Sequence, residues 1–569
     1  MNDAAAAHSA AIALNRFGLG ANANEPAPAD PKAWLLAQFD RYDARPAAWA
    51  NEPDSASLVT DFAQRRREMR EMRKQGKDGS AASQPGAQTP AAAASAANRM
   101  QSDTLNGSPT GGASAGPREM LANAGDGGAR PARSGPSMSP ASNASASIPS
   151  STAQAGAPSA AQEARKALRA DIVTTYRDAV NARVLSALNT ETPFVERLVH
   201  FWANHFAIST EKPQVAVLAG SFEVEAIRPH VLGRFEDMLI AVERHPAMQL
   251  FLDQNNSVGP DSVAAMRAAQ RNPAARPRGL NENLAREIME LHTLGARSGY
   301  TQADVTEFAR ALTGWSIALP PARDGGRGGD GGNGGGNSNG NSASNDAAQP
   351  GRFVFRAALH EPGPRTVTGR RYEQSGEAQP LAILHDFAAS PATAHHVADK
   401  LARHFVSDTP PPAVVARLAD AFTQSGGDLP SVYRALIDAP QAWSPVATKF
   451  KSPWEWTISA MRGLGWRDLG NLQAAPLLTQ LGQPVWRPGS PAGYDDVAAS
   501  WASPDALLRR VELAQRLASR VGDRLDARAL GEQLFAGALS APTASAVSRA
   551  ESASTALALL FVSPDFQRR

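Results

Sequence analysis

Apolar residues recur at helical spacing along most of this chain. Ala164–Leu188 (ARKALRADIVTTYRDAVNARVLSAL) carries them for about seven turns. The same period runs through Pro193–Ala207, Gln214–Arg228, Leu232–Glu243, Leu280–Leu294 and Gln302–Leu312. It resumes in Pro391–Phe405, Pro411–Thr423, Asp428–Asp438, Pro453–Gly463, Pro504–Val521 and Ala550–Phe561. Near the start, Asp30 stands where a helix cap belongs, with Pro31 at the first helical position. The pattern breaks in Arg352–Tyr372, where RFVFR and RTVTG flank HEPGP; short β-rich runs around a Pro/Gly turn predict one small hairpin. The expectation is an all-α fold, a large multi-helix bundle-like domain with that single hairpin.

Composition divides the chain. Gly76–Gln162 is a Ser/Ala/Gly/Pro tract with almost no aromatics, and Arg323–Gln349 is rich in Gly and Asn. Neither buries enough apolar surface to offset its ordering entropy, so both are expected to be disordered insertions. The remaining blocks are read as one core: N-terminal helices (1–75), a central helical part (163–322) and the hairpin with C-terminal helices (351–569), separated by insertions 76–162 and 323–350. A net charge of +2, from 57 Lys+Arg against 55 Asp+Glu, argues against a nucleic-acid partner. The absence of cysteine removes disulfides, thiolate metal sites and a cysteine nucleophile. No run approaches a membrane span. Asp3, His8 and Ser9 spoil an export signal in Met1–Gly20, so a cytoplasmic protein is expected, with a periplasmic or exported one as the alternative.

A series of motifs runs in order along the chain. It comprises LNRFGLGA (Leu14–Ala21), PFVERLVHFWANHFAIS (Pro193–Ser209), HPAMQLFLDQNNS (His245–Ser257) and the long block Asn281–Trp315. It continues with FVFRAALHEPGPRTVTG (Phe353–Gly369), SPATAHHVADKLARHFVSDTPP (Ser390–Pro411), KFKSPWEW (Lys449–Trp456) and LGQPVWRPGSPAGYDDVAASW (Leu481–Trp501). This series resembles the bacterial family known as domain of unknown function 1800. The resemblance implies a bacterial source and the helical fold, but no reaction. It also implies a protein partner from a neighbouring gene, of an exported hydrolase-like kind. Where the family usually carries His-Asp at the hairpin turn, this chain has His360-Glu361.

The block NENLAREIMELHTLG holds the candidate chemistry. On a regular helix advancing about 100° per residue, Asn283, Glu287 and Glu290 share one face and His292 points away from the two carboxylates. Two carboxylates one turn apart bridge a hard divalent cation, or split their pKa values to act as acid and base; pairing with arginines such as Arg286 or Arg310 is the plain alternative. Glu196, His200 and Asn204 line up similarly on the Pro193–Ala207 helix. A bundle could set His200 against Glu287 and Glu290, giving a metal site of those three side chains. His360, beside Glu361 in the hairpin turn, is a further acid/base candidate, weighed against a turn-bracing hydrogen bond. His205, His292 and the pair His395–His396 read as core or capping residues. Trp454, Trp456, Trp466, Trp486 and Trp501 crowd the last third, either as core or as an aromatic surface. Two functions follow: a metal-assisted hydrolase using Glu287, Glu290 and His360 with His200 as a further ligand, or a non-enzymatic assembly or chaperone-like partner that binds through its aromatic C-terminal third.

Overall fold

Helix starts in this protein follow local capping rules. A Ser or Asp whose side chain accepts a backbone N–H, followed by proline in the first turn, opens Pro31–Leu36, Pro391–Phe405, Leu429–Ile437, Pro453–Gly463 and Pro504–Val521. The computed structural model describes residues 2–81, 160–272, 279–318 and 349–569. Among these the fold is all-α except for two small antiparallel ladders. Met1–Met72 and Ala161–Arg569 form one compact unit. A second unit spans Arg73–Ala160; its described residues are the end of the helix Ser55–Ala81 and the first residue of Ala160–Asn189. Those two helices therefore run a few residues into the tract expected to be an insertion. The rest of that tract, 82–159, and most of the second one, 319–348, lie outside the described residues.

A hairpin forms in the expected region, but not between the expected runs: β3 (Arg365–Val367) pairs with β4 (Arg370–Tyr372), and β2 (Phe353–Phe355) pairs with β1 (Trp315–Ile317) in a separate ladder. The FVF run is followed by a 3-10 turn, Ala357–Leu359, and not by a tight two-strand turn. The β3–β4 turn is tight: Thr368 and Gly369 both have positive φ (48° and 79°), and Asp304 braces the Thr368 N–H at 2.7 Å.

Three helices end in a π-helical turn: Ala13–Phe17, Glu223–Ile227 and Ile288–His292. Bonding five residues back puts more residues in each turn than an α-helix holds, so faces assigned at 100° per residue no longer apply beyond Ile288. Each π turn supplies groups used below.

The core reaches the site through a knot of three phenylalanines. Phe17, Phe194 and Phe405 lie 5.7–5.8 Å apart, centroid to centroid, and tie the first π turn to the helices Pro193–His205 and Pro391–Phe405. Trp202 donates to the Tyr433 hydroxyl at 2.7 Å in the same layer. The face of the Pro193–His205 helix away from this knot is left to polar work. Among the described residues no helix is long and apolar enough to cross a membrane.

Candidate functional site

Glu196, His200 and Asn204, one turn apart, each bind a different element. Glu196 is enclosed; its carboxylate accepts Arg228 Nη1 and Nη2 at 3.0 and 2.6 Å and the Ser186 hydroxyl at 2.9 Å. Burial works against its charge, but Arg228, His200 and Ser186 outweigh it and hold the carboxyl at about 2. His200 accepts the Trp454 indole N–H on Nδ1 at 3.1 Å, with Nε2 3.6 Å from Glu196. Burial first, then Arg183, pushes this imidazole down to about 4, so it is neutral at pH 7. Asn204 pins a distant loop: its amide donates to Tyr494 O at 2.9 Å and its oxygen accepts Tyr494 N–H at 2.7 Å. Gly493 makes that approach possible. Its φ is +85°, and a Cβ there would sit 2.3 Å from Asn204 O.

The pinned loop closes a cavity of about 260 Å³. On one side the Arg183 guanidinium lies between the rings of Trp454 and Trp486, 4.5 and 5.3 Å from their centroids. Arg183 is paired at 2.8 Å with Glu223 of the second π turn, which also accepts the Trp486 indole N–H at 3.2 Å. Trp486 takes φ +49°, a strained conformation for a bulky residue and one that tends to occur at functional sites.

A further wall is the helix Pro391–Phe405, which presents Lys400, Arg403 and His404, with Lys400 and His404 at i, i+4. His404 Nδ1 lies 2.5 Å from Asp496 Oδ2. A carboxylate there only accepts, so Nδ1 carries the proton and Nε2 keeps its lone pair. Nε2 is 3.5 Å from Arg197 Nη1, too far for more than a weak bond. Lys449 steadies Asp496 at 3.1 Å while holding Asp408 at 2.7 Å. Burial lowers the His404 pKa against the pull of Asp496; His404 and Lys449 overcome burial to keep the Asp496 carboxyl well below its ordinary range. Below them Ser452 and Glu455 form a capping box on the helix Pro453–Gly463. The same Glu455 carboxylate neutralises Arg197 and Arg569, the latter at 2.8 Å. One capping residue thus anchors a helix and the cationic floor of the cavity together.

A family model described as "Protein of unknown function (DUF1800)" matches residues 12–568. The chain belongs to this family. No curated protein and no solved structure matches it. The site of this DUF1800 protein therefore has to be read from its own geometry.

That geometry does not bring the expected metal ligands together. Of the three, His200 lines the cavity, but Glu287 and Glu290 do not. Among the described residues no three His, Asp or Glu side chains are grouped to hold a metal ion. Glu287 is half-buried and its carboxyl is raised by burial, with Glu290 adding to this and His292 opposing. Neither carboxylate takes the arginines that were the plain alternative: Arg286 pairs with Glu282 at 3.1 Å and Arg310 with Glu307 at 2.5 Å. His292 instead meets the enclosed Glu243 at 2.7 Å, as a core pair. His360 does not line the cavity; its Nδ1 lies 2.9 Å from Thr313 O, just past the helix Gln302–Leu312, while Glu361 accepts Asp261 N–H at 2.7 Å. The tryptophans are largely inside: Trp454, Trp456, Trp486 and Trp501 are all buried.

The residues that do converge, His404, Asp496, Lys400, Arg183 and Arg403, went unmarked in the sequence. One signal was present: His396, Lys400 and His404 repeat at i, i+4, i+8. Asp496 lies 92 residues beyond His404, and no spacing rule joins them.

Proposed function

We propose that this protein is an enzyme that moves protons on a small anionic substrate, with His404 as the acid–base group and Asp496 as the residue that orients it. The observation that carries this reading is the 2.5 Å contact between His404 Nδ1 and Asp496, inside a cavity also lined by Arg183, Lys400 and Arg403. The arrangement has the parts that general-base catalysis needs: a neutral imidazole, a carboxylate fixing its tautomer, and cations to hold an anion against it. The metal-assisted form expected from the sequence required His200, Glu287 and Glu290 to meet; the acid–base part of that expectation moves to His404, and hydrolysis is one reaction it would serve.

The test begins with thermal shifts of the full chain in inorganic phosphate, succinate and pyruvate. It continues with release of 4-nitrophenolate from 4-nitrophenyl phosphate and from the succinate half-ester, and with exchange of pyruvate methyl protons in D2O. At least one anion is expected to stabilise the protein, and at least one reaction to fall about a hundredfold or more in His404→Gln. Stabilisation by anions without any His404-dependent reaction would reduce the cavity to a binding site, and no stabilisation at all would sink the proposal.

A further inference from the structure

Lys400 stands one turn before His404 on the helix that lines the cavity. The neighbouring lysines are committed elsewhere. Lys449 is paired with Asp408 and Asp496, and Lys451 bonds Ser459 Oγ at 3.2 Å with its ammonium 4.1 Å from the Phe566 ring. No hydrogen bond or ion pair holds the Lys400 amine among the described residues. A half-buried lysine without a counter-ion gains nothing for the fold from its charge, whereas a nucleophilic amine has to be free in this way.

Resting on the acid–base reading of this cavity, we propose that the ε-amine of Lys400 forms an imine with a small 2-oxo acid. Burial first, with Arg403 adding to it and Asp496 and Asp399 opposing, lowers the ammonium to about 8. That leaves a neutral-amine fraction near pH 7 about two- to three-hundredfold above that of an ordinary lysine. Arg183 meets Glu223 through Nε and Arg403 meets Asp399 through Nη2, so each keeps further guanidinium N–H groups on the cavity wall, and the space of about 260 Å³ suits a molecule of a few carbons. Those N–H groups can take a carboxylate in two-point fashion, and a carboxylate beside the carbonyl keeps the reacting carbon within reach of the amine.

The steps balance without an oxidant or reductant. The Lys400 nitrogen attacks the carbonyl carbon, the new C–N bond forms, and the carbonyl oxygen gains a proton. His404 relays the first N–H proton to that oxygen, giving the carbinolamine, and then the second N–H proton to the hydroxyl, whose C–O bond breaks as water leaves. Amine and ketone thus become imine and water.

The test uses the full chain with pyruvate and cyanoborohydride, whose hydride fixes the imine as a stable secondary amine, followed by peptide mapping of the chain's eight lysines. Lys400 is expected to be trapped about tenfold faster than any other lysine, the gain in neutral amine being partly offset by its lower basicity. Lys400→Arg should remove this fast adduct, and acetone should react far more slowly than pyruvate. Labelling spread evenly over the lysines would overturn the proposal, and equal trapping of acetone would overturn the 2-oxo acid class. The mapping on unaltered protein decides the matter even if Lys400→Arg folds poorly. A fast Lys400 adduct that is unchanged in His404→Gln keeps the imine and removes the acid–base reading. His404-dependent turnover without a Lys400 adduct removes the imine and keeps that reading.

Discussion

Acidifying the solution from pH 7 to pH 4 perturbs one buried group whose contribution can be worked through. In the unfolded chain His200 binds its proton near pH 6.5; in the folded protein, enclosed beside Arg183, it resists until about pH 4. Between those values unfolding takes up a proton. The stability that His200 contributes by staying neutral is therefore fully present above pH 6.5 and is lost as pH falls toward 4. A gap of about 2.5 units, at about 1.4 kcal/mol per unit, makes the loss about 3 kcal/mol. His200→Gln isolates this term, because glutamine can still accept the Trp454 indole N–H but does not titrate. Urea unfolding followed by circular dichroism at pH 7, 6, 5 and 4 reads the difference. Wild type should lose about 3 kcal/mol more than the variant over that range. Parallel pH profiles, or an imidazole signal for His200 titrating near 6.5, would refute the reasoning.

Glu196→Gln leaves Arg228 buried without its main counter-charge, and should cost about 3–5 kcal/mol in urea unfolding at pH 7; a loss under 1 kcal/mol would mean that Glu223 already balances Arg228. Gly493→Ala forces a Cβ into the Asn204 carbonyl at a positive φ, so the loop carrying Asp496 should lift from the Pro193–His205 helix. Its melting temperature should fall and stabilisation by small anions should disappear, whereas an unchanged anion response would show that the loop is not needed to close the cavity.

How much of this was legible in the residues differs from element to element. The helices of the site were, because Ser-Pro and Asp-Pro caps and apolar spacing act within a few residues of each other. The shared face of Glu196, His200 and Asn204 was legible for the same reason, and the structure gives each a polar partner. Glu287 and Glu290 lie outside the cavity that His200 lines, because the meeting of two distant helices is set by packing that spacing within one helix does not encode. The His404–Asp496 contact was invisible because it depends on Asn204 pinning a loop almost 300 residues away. Trp454 and Trp486 were rightly grouped as neighbours in composition, yet only packing reveals that they clasp an arginine.

The π turn at Ile288–His292 also makes this stretch unusually sensitive to chain length. A chain shorter by one residue there could close as an ordinary α-helix and keep its backbone bonds, so the change would look harmless. The wide turn would tighten, and the side chains and carbonyls within Ile288–His292 would be redistributed around the helix axis. His292 would swing off Glu243, and the carbonyls that receive His205 and His396 would move with it. The surplus residue thus acts as a spacer at the end of the helix, setting His292 on Glu243 and two carbonyls under His205 and His396.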